Sequence, residues 1–174
     1  PDLNPNNLKI VRFRERMKPD GTVVWNFFPD QCRHCLTPIC KDVADMAVPG
    51  AIIKDAKTGM VIATDKSAKL SPQDAQAVID ACPYNIPRLD PKTKCLTKCD
   101  MCIDRLRDGL KPACVASCPG RALECGPIEE LRRQHPDATV TAVGFAAEGS
   151  NFYHLGVPMH NNDTEVLSQF ANNS

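Results

Sequence analysis

The residues of this 174-residue chain best suited to chemistry are its ten cysteines, and their spacing carries the first information about function. Cys32, Cys35 and Cys40 form C-x2-C-x4-C. Cys82 stands alone in front of Pro83. Cys99, Cys102, Cys114 and Cys118 form C-x2-C-x11-C-x3-C, with Pro119 after the last of them, and Cys95 and Cys125 flank the group. A cubane cluster needs four thiolates aimed at one small body, and two residues between cysteines bend a loop around one of its corners. A Cys–Pro dipeptide supplies a ligand where Pro turns the chain and ends the local hydrogen bonding. The leading reading is therefore a set of 4Fe–4S clusters, with iron as the only metal, held by these cysteines. A zinc ribbon, closing four ligands around one ion, is the second reading and would make this protein a structural assembly module. A secreted disulfide framework comes third, because C-x2-C pairs are poorly placed to staple distant segments.

The ligand exchange of two-cluster ferredoxins sorts the cysteines further. There the Cys of the Cys–Pro dipeptide binds the other cluster, so two motifs trade their fourth ligands. The first group lacks a fourth Cys four residues after Cys40, where Ala44 stands. The motif ending at Cys82 lacks its first three, which fall on Pro72, Ala75 and Val78. Under the exchange rule all four missing ligands belong to one cluster. The other keeps Cys32, Cys35, Cys40 and Cys82. In the third group Cys99, Cys102 and Cys114 bind a second cluster, and Cys118 is donated to a partner motif. That motif either lies before Pro1, where the chain starts without Met, or the group closes on itself through Cys118, Cys95 or Cys125. These cysteines alone support two clusters, and an upstream motif would make three. Cys95 and Cys125 otherwise read as ordinary thiols.

Composition narrows the class. Twenty-one basic and twenty-one acidic side chains cancel, so there is no footprint for nucleic acid or an anionic membrane. No apolar run reaches the length of a membrane helix, no signal peptide is visible, and a soluble protein is expected. Fifteen Pro and only 5% aromatic residues suggest a loop-rich chain with a thin core. No Ser–His–Asp set, phosphate loop or pair of catalytic carboxylates is recognisable. Arg88 to Lys111 holds seven basic and four acidic residues around cysteines. It is either a solvated face or a source of countercharge, with Lys98 or Arg105 offsetting a cluster's negative charge and raising its potential. His34 sits inside the first Cys loop, either tuning a cluster or facing solvent. His135, His154 and His160 read as structural or exposed.

The elements that must position these residues are short. Leu8 to Phe13 and Thr22 to Phe28 flank Lys18-Pro19-Asp20-Gly21 and read as a β-hairpin, with Trp25, Phe27 and Phe28 as its core. A second hairpin spans Ala51 to Thr64 and turns at Lys57-Thr58-Gly59. Ser71-Pro72-Gln73-Asp74 opens a helix running to about Ala81, in the place of the lost cluster loop. Ile103 to Leu110, Pro112 to Ser117 and Pro127 to His135 read as short helices. Thr139 to Phe145 reads as a strand, and the polar tail from Glu148 as a surface wrap or disordered. The fold class is α+β, a loop-rich ferredoxin-like multi-cluster fold of short hairpins and helices. Residues 1–126 would be the cluster domain, and 127–174 a C-terminal helix, strand and tail packed on that domain or a partner.

Several stretches resemble one known family: Phe27-Phe28-Pro29-Asp30-Gln31-Cys32-Arg33-His34-Cys35, Ala81-Cys82-Pro83-Tyr84, Lys98-Cys99-Asp100-Met101-Cys102-Ile103-Asp104-Arg105, and Lys111-Pro112-Ala113-Cys114 to Ser117-Cys118-Pro119. They are similar to the small iron–sulfur subunit of the soluble, periplasmic formate dehydrogenases that use tungsten or molybdenum. The Lys-Cys-Asp-x-Cys and Cys-Pro-Tyr motifs are shared with the subunits of dimethyl sulfoxide, polysulfide and nitrate reductases. The Phe-Phe-Pro-Asp-Gln-Cys-Arg-His-Cys stretch is more particular to the formate enzymes. The resemblance implies three 4Fe–4S clusters and a large catalytic subunit with a Mo or W bis-pterin site. It also implies a non-catalytic electron-transfer role, an external redox partner such as a multihaem cytochrome, and export to the periplasm with the partner subunit (the cytoplasm being the alternative). The sequence departs from the pattern in its absent N-terminal Cys motif and in Cys95 and Cys125.

Overall fold

A computed structural model of the protein describes residues 3–136 and the short strands at 139–140 and 153–154. In chain order the elements are β1 (Ile10–Met17), β2 (Val23–Asp30), α1 (Ile39–Ala47), β3 (Ile52–Lys54), β4 (Val61–Ala63), a 3-10 helix (Asp65–Lys69), α2 (Pro72–Asp80), β5 (Arg88–Leu89), β6 (Leu96–Thr97), α3 (Ile103–Arg107), α4 (Ala113–Ala116), α5 (Ile128–Gln134), β7 (Thr139–Val140) and β8 (Tyr153–His154). Each described sheet is a two-stranded pair of consecutive strands. These short helices and small sheets are a mixed arrangement of helix and strand, in accord with the α+β class expected from the sequence. The protein forms two compact units, one of residues up to 32, 40–53 and 62–99, the other of 33–39, 54–61 and the residues from 100 on.

The first unit opens with the expected hairpin. Gly21 takes φ +83°, a left-handed turn geometry that costs glycine little, and its N–H closes onto the Lys18 carbonyl at 2.9 Å. The register sets Phe13 opposite Phe27 and Glu15 opposite Trp25. With a side-chain period of two, Val11, Phe13, Met17, Val23, Trp25 and Phe27 share one face. That face is open, with Trp25 60% and Phe27 58% exposed, so the expectation that these two rings fill a hairpin core is corrected. The rings pack on one another instead. Phe13 meets Trp25 edge-on and Phe27 at a tilt, while the Trp25 indole N–H donates to Glu15 Oε2 at 2.7 Å.

Helix α1 is not among the expected elements. Its apolar residues Ile39, Val43, Met46 and Ala47 recur at helical spacing, and Pro49-Gly50 stops it. The Lys41–Asp45 pair spans one turn at 2.6 Å, and Asp45 also accepts the Gly50 N–H at 2.9 Å. Helix α2 starts where its capping signal places it. Ser71 Oγ accepts the Asp74 N–H at 3.1 Å, and Pro72 occupies the first turn. The core of this unit includes Ala44 (0% exposed), Ala75 (2%) and Val78 (0%). These are three of the four positions where the ligands of another cluster would stand. The helices α1 and α2 line a common groove of about 390 Å³ through Val43, Met46, Ala47, Asp74 and Ala77. Small apolar side chains thus pack this region. Ser67 in the 3-10 helix is fully buried, donating to the Thr64 carbonyl at 2.6 Å and accepting from Leu96 N–H at 3.0 Å.

In the second unit, the Gly109 φ of +70° follows α3 within its closing turn. Helix α4 lies between Pro112 and Ser117, and α5 covers the segment expected between Pro127 and His135. The strand expected from Thr139 begins as β7 and pairs with β8. Its continuation to Phe145, and the tail from Glu148 apart from β8, lie outside the described residues. Among the described residues no helix is long and apolar enough to cross a membrane.

Candidate iron–sulfur centres

Apart from Cys40 in α1 and Cys114 in α4, the cysteines sit outside the helices, and the backbone near them is unusual. Among the described residues six that are not glycine adopt positive φ: His34, Asn85, Lys94, Met101, Cys102 and Arg121. Each lies within three residues of a cysteine or is one. A left-handed non-glycine residue costs roughly 1–2 kcal/mol, so their concentration here is strain stored where loops coil tightly. Met101 and Cys102 are consecutive at +57° and +53°, which curls the Cys99–Cys102 loop just before α3.

Sulfur atoms in these loops accept hydrogen bonds. The Ala113 N–H donates to Cys102 Sγ at 3.5 Å and the Ala122 N–H to Cys118 Sγ at 3.3 Å. The Lys98 ammonium donates to Cys32 Sγ at 3.5 Å. N–H donors aimed at sulfur stabilise thiolate over thiol and set the potential of whatever the thiolate binds. Among the described residues no disulfide joins the cysteines, which corrects the disulfide framework weighed from the sequence.

The supporting contacts are specific to each unit. In the first, Cys32 is buried with Leu3, Ile10 and Ile86, and Cys82, Tyr84 and Cys99 pack against that cluster. Cys40 lies in the first turn of α1, and Cys82 N–H closes onto the Ile79 carbonyl at the end of α2. Cys95 Sγ approaches the Asp65 carbonyl at 4.0 Å. In the second unit, Lys54 Nζ donates to the carbonyls of Cys35 and Leu36 at 2.7 Å each. His34 is 5% exposed and its Nδ1 accepts the Val61 N–H at 3.0 Å, so it is a buried loop pin and not a solvent-facing residue. Cys125 is a part-buried thiol whose pKa is pushed up first by burial and then by the negative charges of Cys114 and Cys102. His135 pairs with Glu124 at 2.7 Å. Lys54 is a supporting residue that no sequence motif singles out, since its role arises from the β3–β4 hairpin carrying it back to residues 35 and 36.

The basic stretch around the cysteines resolves into separate roles. Lys98 is 5% exposed and against a sulfur, so it is no part of a solvated face. Arg105 Nε donates to the Lys111 carbonyl at 2.9 Å and so ties the loop between α3 and α4. Among the described residues no three His, Cys, Asp or Glu side chains converge as ligands of a single ion. A cubane presents its iron corners separately, so its thiolates stand farther apart than those around one zinc. Cysteine sulfurs with N–H support, close to turns of left-handed backbone, suit the thiolate donor set of a 4Fe–4S cluster.

A family model described as a 4Fe-4S dicluster domain matches residues 23–128, more than half of the sequence. This protein belongs to the 4Fe-4S dicluster family. The match spans the groups Cys32–Cys40, Cys82 and Cys99–Cys118 as well as Cys95 and Cys125, and 4Fe–4S clusters are the cofactors of this domain. Among curated proteins, the dicluster protein is 70% identical over 131 residues to "Formate dehydrogenase 2 subunit beta (cytochrome c-553)" of Nitratidesulfovibrio vulgaris. It is 49% identical over 131 residues to "Formate dehydrogenase subunit beta" of Megalodesulfovibrio gigas. Both alignments cover 75% of its length and 60% of the relative. It is also 38% identical over 111 residues to a polypeptide of the anaerobic dimethyl sulfoxide reductase of Escherichia coli, covering 64% of its own length and 50% of the relative. The dicluster protein thus spans about 60% of the length of the two formate dehydrogenase subunits it matches.

Proposed function

We propose that this protein is the electron-transfer, iron–sulfur subunit of a formate dehydrogenase, relaying electrons to or from a catalytic subunit with a Mo or W bis-pterin site. The observation that carries the reading is the 70% identity to a formate dehydrogenase beta subunit, against 38% to the dimethyl sulfoxide reductase polypeptide. A ferredoxin-like domain over residues 1–126 accords with the family match at 23–128. The clusters supply one-electron chemistry when bound. The protein's own residues hold the thiolates, bury Cys32 and place charge and N–H donors at sulfur. In this reading Cys32, Cys35, Cys40 and Cys82 hold one cluster. Cys99, Cys102 and Cys114 hold a second, whose fourth ligand comes from an upstream motif or from Cys118, Cys95 or Cys125. Cys118 completes a third cluster if that motif is present. The buried Ala44, Ala75 and Val78 support the view that a further cluster site is replaced by packing. The external partner would be a cytochrome, as the name of one relative suggests, and the compartment the periplasm.

The test is purification of the native complex. A brown protein whose broad visible absorption bleaches under a strong reductant, with about eight or twelve iron per chain at four per cubane, is expected. It should co-purify with a large subunit that reduces dyes with formate. Iron–sulfur clusters on a complex inert toward formate would reject the formate assignment, and a colourless, zinc-loaded protein would reject the electron-transfer role.

A further inference from the structure

Lysine is seldom fully buried, because its ammonium loses solvation that only negative charge and hydrogen bonds can offset. Lys98 is 5% exposed. It directly follows β6, whose pairing with β5 sets Arg88 opposite Thr97, and the hairpin turn is tightened by Asp90, which accepts from the Lys92 N–H and the Thr93 hydroxyl. Thr97 Oγ1 also donates to the Arg88 carbonyl at 3.2 Å. The backbone entering Lys98 is therefore fixed. From it, Nζ donates to Cys32 Sγ at 3.5 Å and to the Cys99 carbonyl at 3.1 Å. Cys32 and Cys99 are sixty-seven positions apart and belong to different cysteine motifs, yet one ammonium serves both.

We propose that Lys98 is a positioning cation shared by two cluster sites, setting the potential of the site that contains Cys32 while anchoring the backbone at Cys99. The proposal rests on the reading of these cysteines as cluster ligands. Reduction of a neighbouring cluster adds one electron and one negative charge, with no bond made or broken. A fixed positive charge in contact with a ligand sulfur stabilises the reduced form more than the oxidised one, and low solvent access keeps that difference from being screened. The Cys99 carbonyl bond has a separate effect. It holds the ammonium in place, so that the charge cannot swing away to solvent when the thiolate loses electron density. Lysines elsewhere on the same hairpin, such as the exposed Lys92, have the same charge without the contact.

The experiment is an EPR-monitored redox titration of the full-length protein in its native complex, preceded by iron analysis. Wild type, Lys98→Gln, Lys98→Arg and Lys92→Gln are compared. Iron–sulfur signals absent from the wild type would reject the electron-transfer reading before any variant is considered. With clusters present, Lys98→Gln is expected to shift one cluster at least tenfold toward the oxidised form at fixed potential, about 59 mV downward for one electron. Lys98→Arg should stay near wild type, and Lys92→Gln should not move. Loss of iron in Lys98→Gln with retention in Lys98→Arg would equally support a requirement for the charge. Unchanged midpoints in an iron-replete Lys98→Gln, or equal iron loss in the Gln and Arg variants, would overturn the proposal.

Discussion

The Ala113 N–H bond to Cys102 Sγ can be removed without disturbing the helix that supplies it. Ala113 is the first residue of α4, where a backbone N–H has no acceptor within the helix. Proline is tolerated at that position, and Pro112 before it has φ −50° and ψ 144°, the extended geometry a residue preceding proline must adopt. Ala113→Pro therefore deletes one donor to sulfur and little else. A hydrogen bond to a charged group contributes about 1.5–3 kcal/mol, and the 3.5 Å length places this one near the lower figure. If about half of that differs between oxidation states, roughly 0.7 kcal/mol is lost from the reduced form, or about 30 mV downward for one electron. The assay is a potentiometric EPR titration of the full-length protein with iron content measured first. Ala113→Gly, which keeps the N–H, is the control and should leave the midpoint in place. A proline variant with full iron and wild-type midpoints, or equal shifts in the proline and glycine variants, would show that this N–H does not tune the site.

The remaining predictions concern ligands, packing and acid. Cys32→Ser and Cys82→Ser should each remove about four iron and the same EPR signal; loss of different signals would break the ligand exchange. Val78→Ala removes two buried methyl groups, costing about 2 kcal/mol and roughly 4–8 °C in melting temperature. A melt by circular dichroism that moves less than about 1 °C would mean the α1–α2 region is loosely packed. Asp45 is held below the ordinary carboxylate range by the Lys41 ammonium and the Gly50 N–H, and Asp55 and Asp90 by backbone N–H groups of their turns. Depressed carboxylates contribute stability that is present above the unfolded pKa near 3.8 and lost as pH falls through the lower folded value. Stability should therefore hold from neutral pH to about 5 and decline below about 4, less steeply in Asp45→Asn; a decline beginning near pH 6 would assign acid sensitivity to other groups.

Much of the local structure is readable because short-range chemistry dictates it. Gly21 in the first turn, Ser71-Pro72 at the start of α2 and Gly109 after α3 are signals that act within four residues. Helix α1 is masked because its start at Ile39 lies inside a cysteine motif, where Cys40 reads as a loop ligand and hides the helical spacing that follows. The β5–β6 hairpin is masked for a similar reason. Asp90-Pro91 is a turn signal, but the surrounding charges suggest a solvated run. The open aromatic face of β1 and β2 is illegible because alternation reveals which residues share a face and not whether anything covers it.

Cysteine count, spacing and the two Cys–Pro dipeptides are enough by themselves to point to 4Fe–4S clusters, since a cubane restricts how ligands can be spaced along a polypeptide. Under the ferredoxin exchange rule they would also mark Ala44, Pro72, Ala75 and Val78 as the places of absent ligands. What tertiary structure alone decides is the surroundings of those ligands. It buries Ala44, Ala75 and Val78, turns His34 and Lys54 into loop supports, and sets Lys98 against a sulfur sixty-six residues away. Burial and hydrogen bonding to sulfur depend on which distant segments the fold brings together, and no local pattern encodes that.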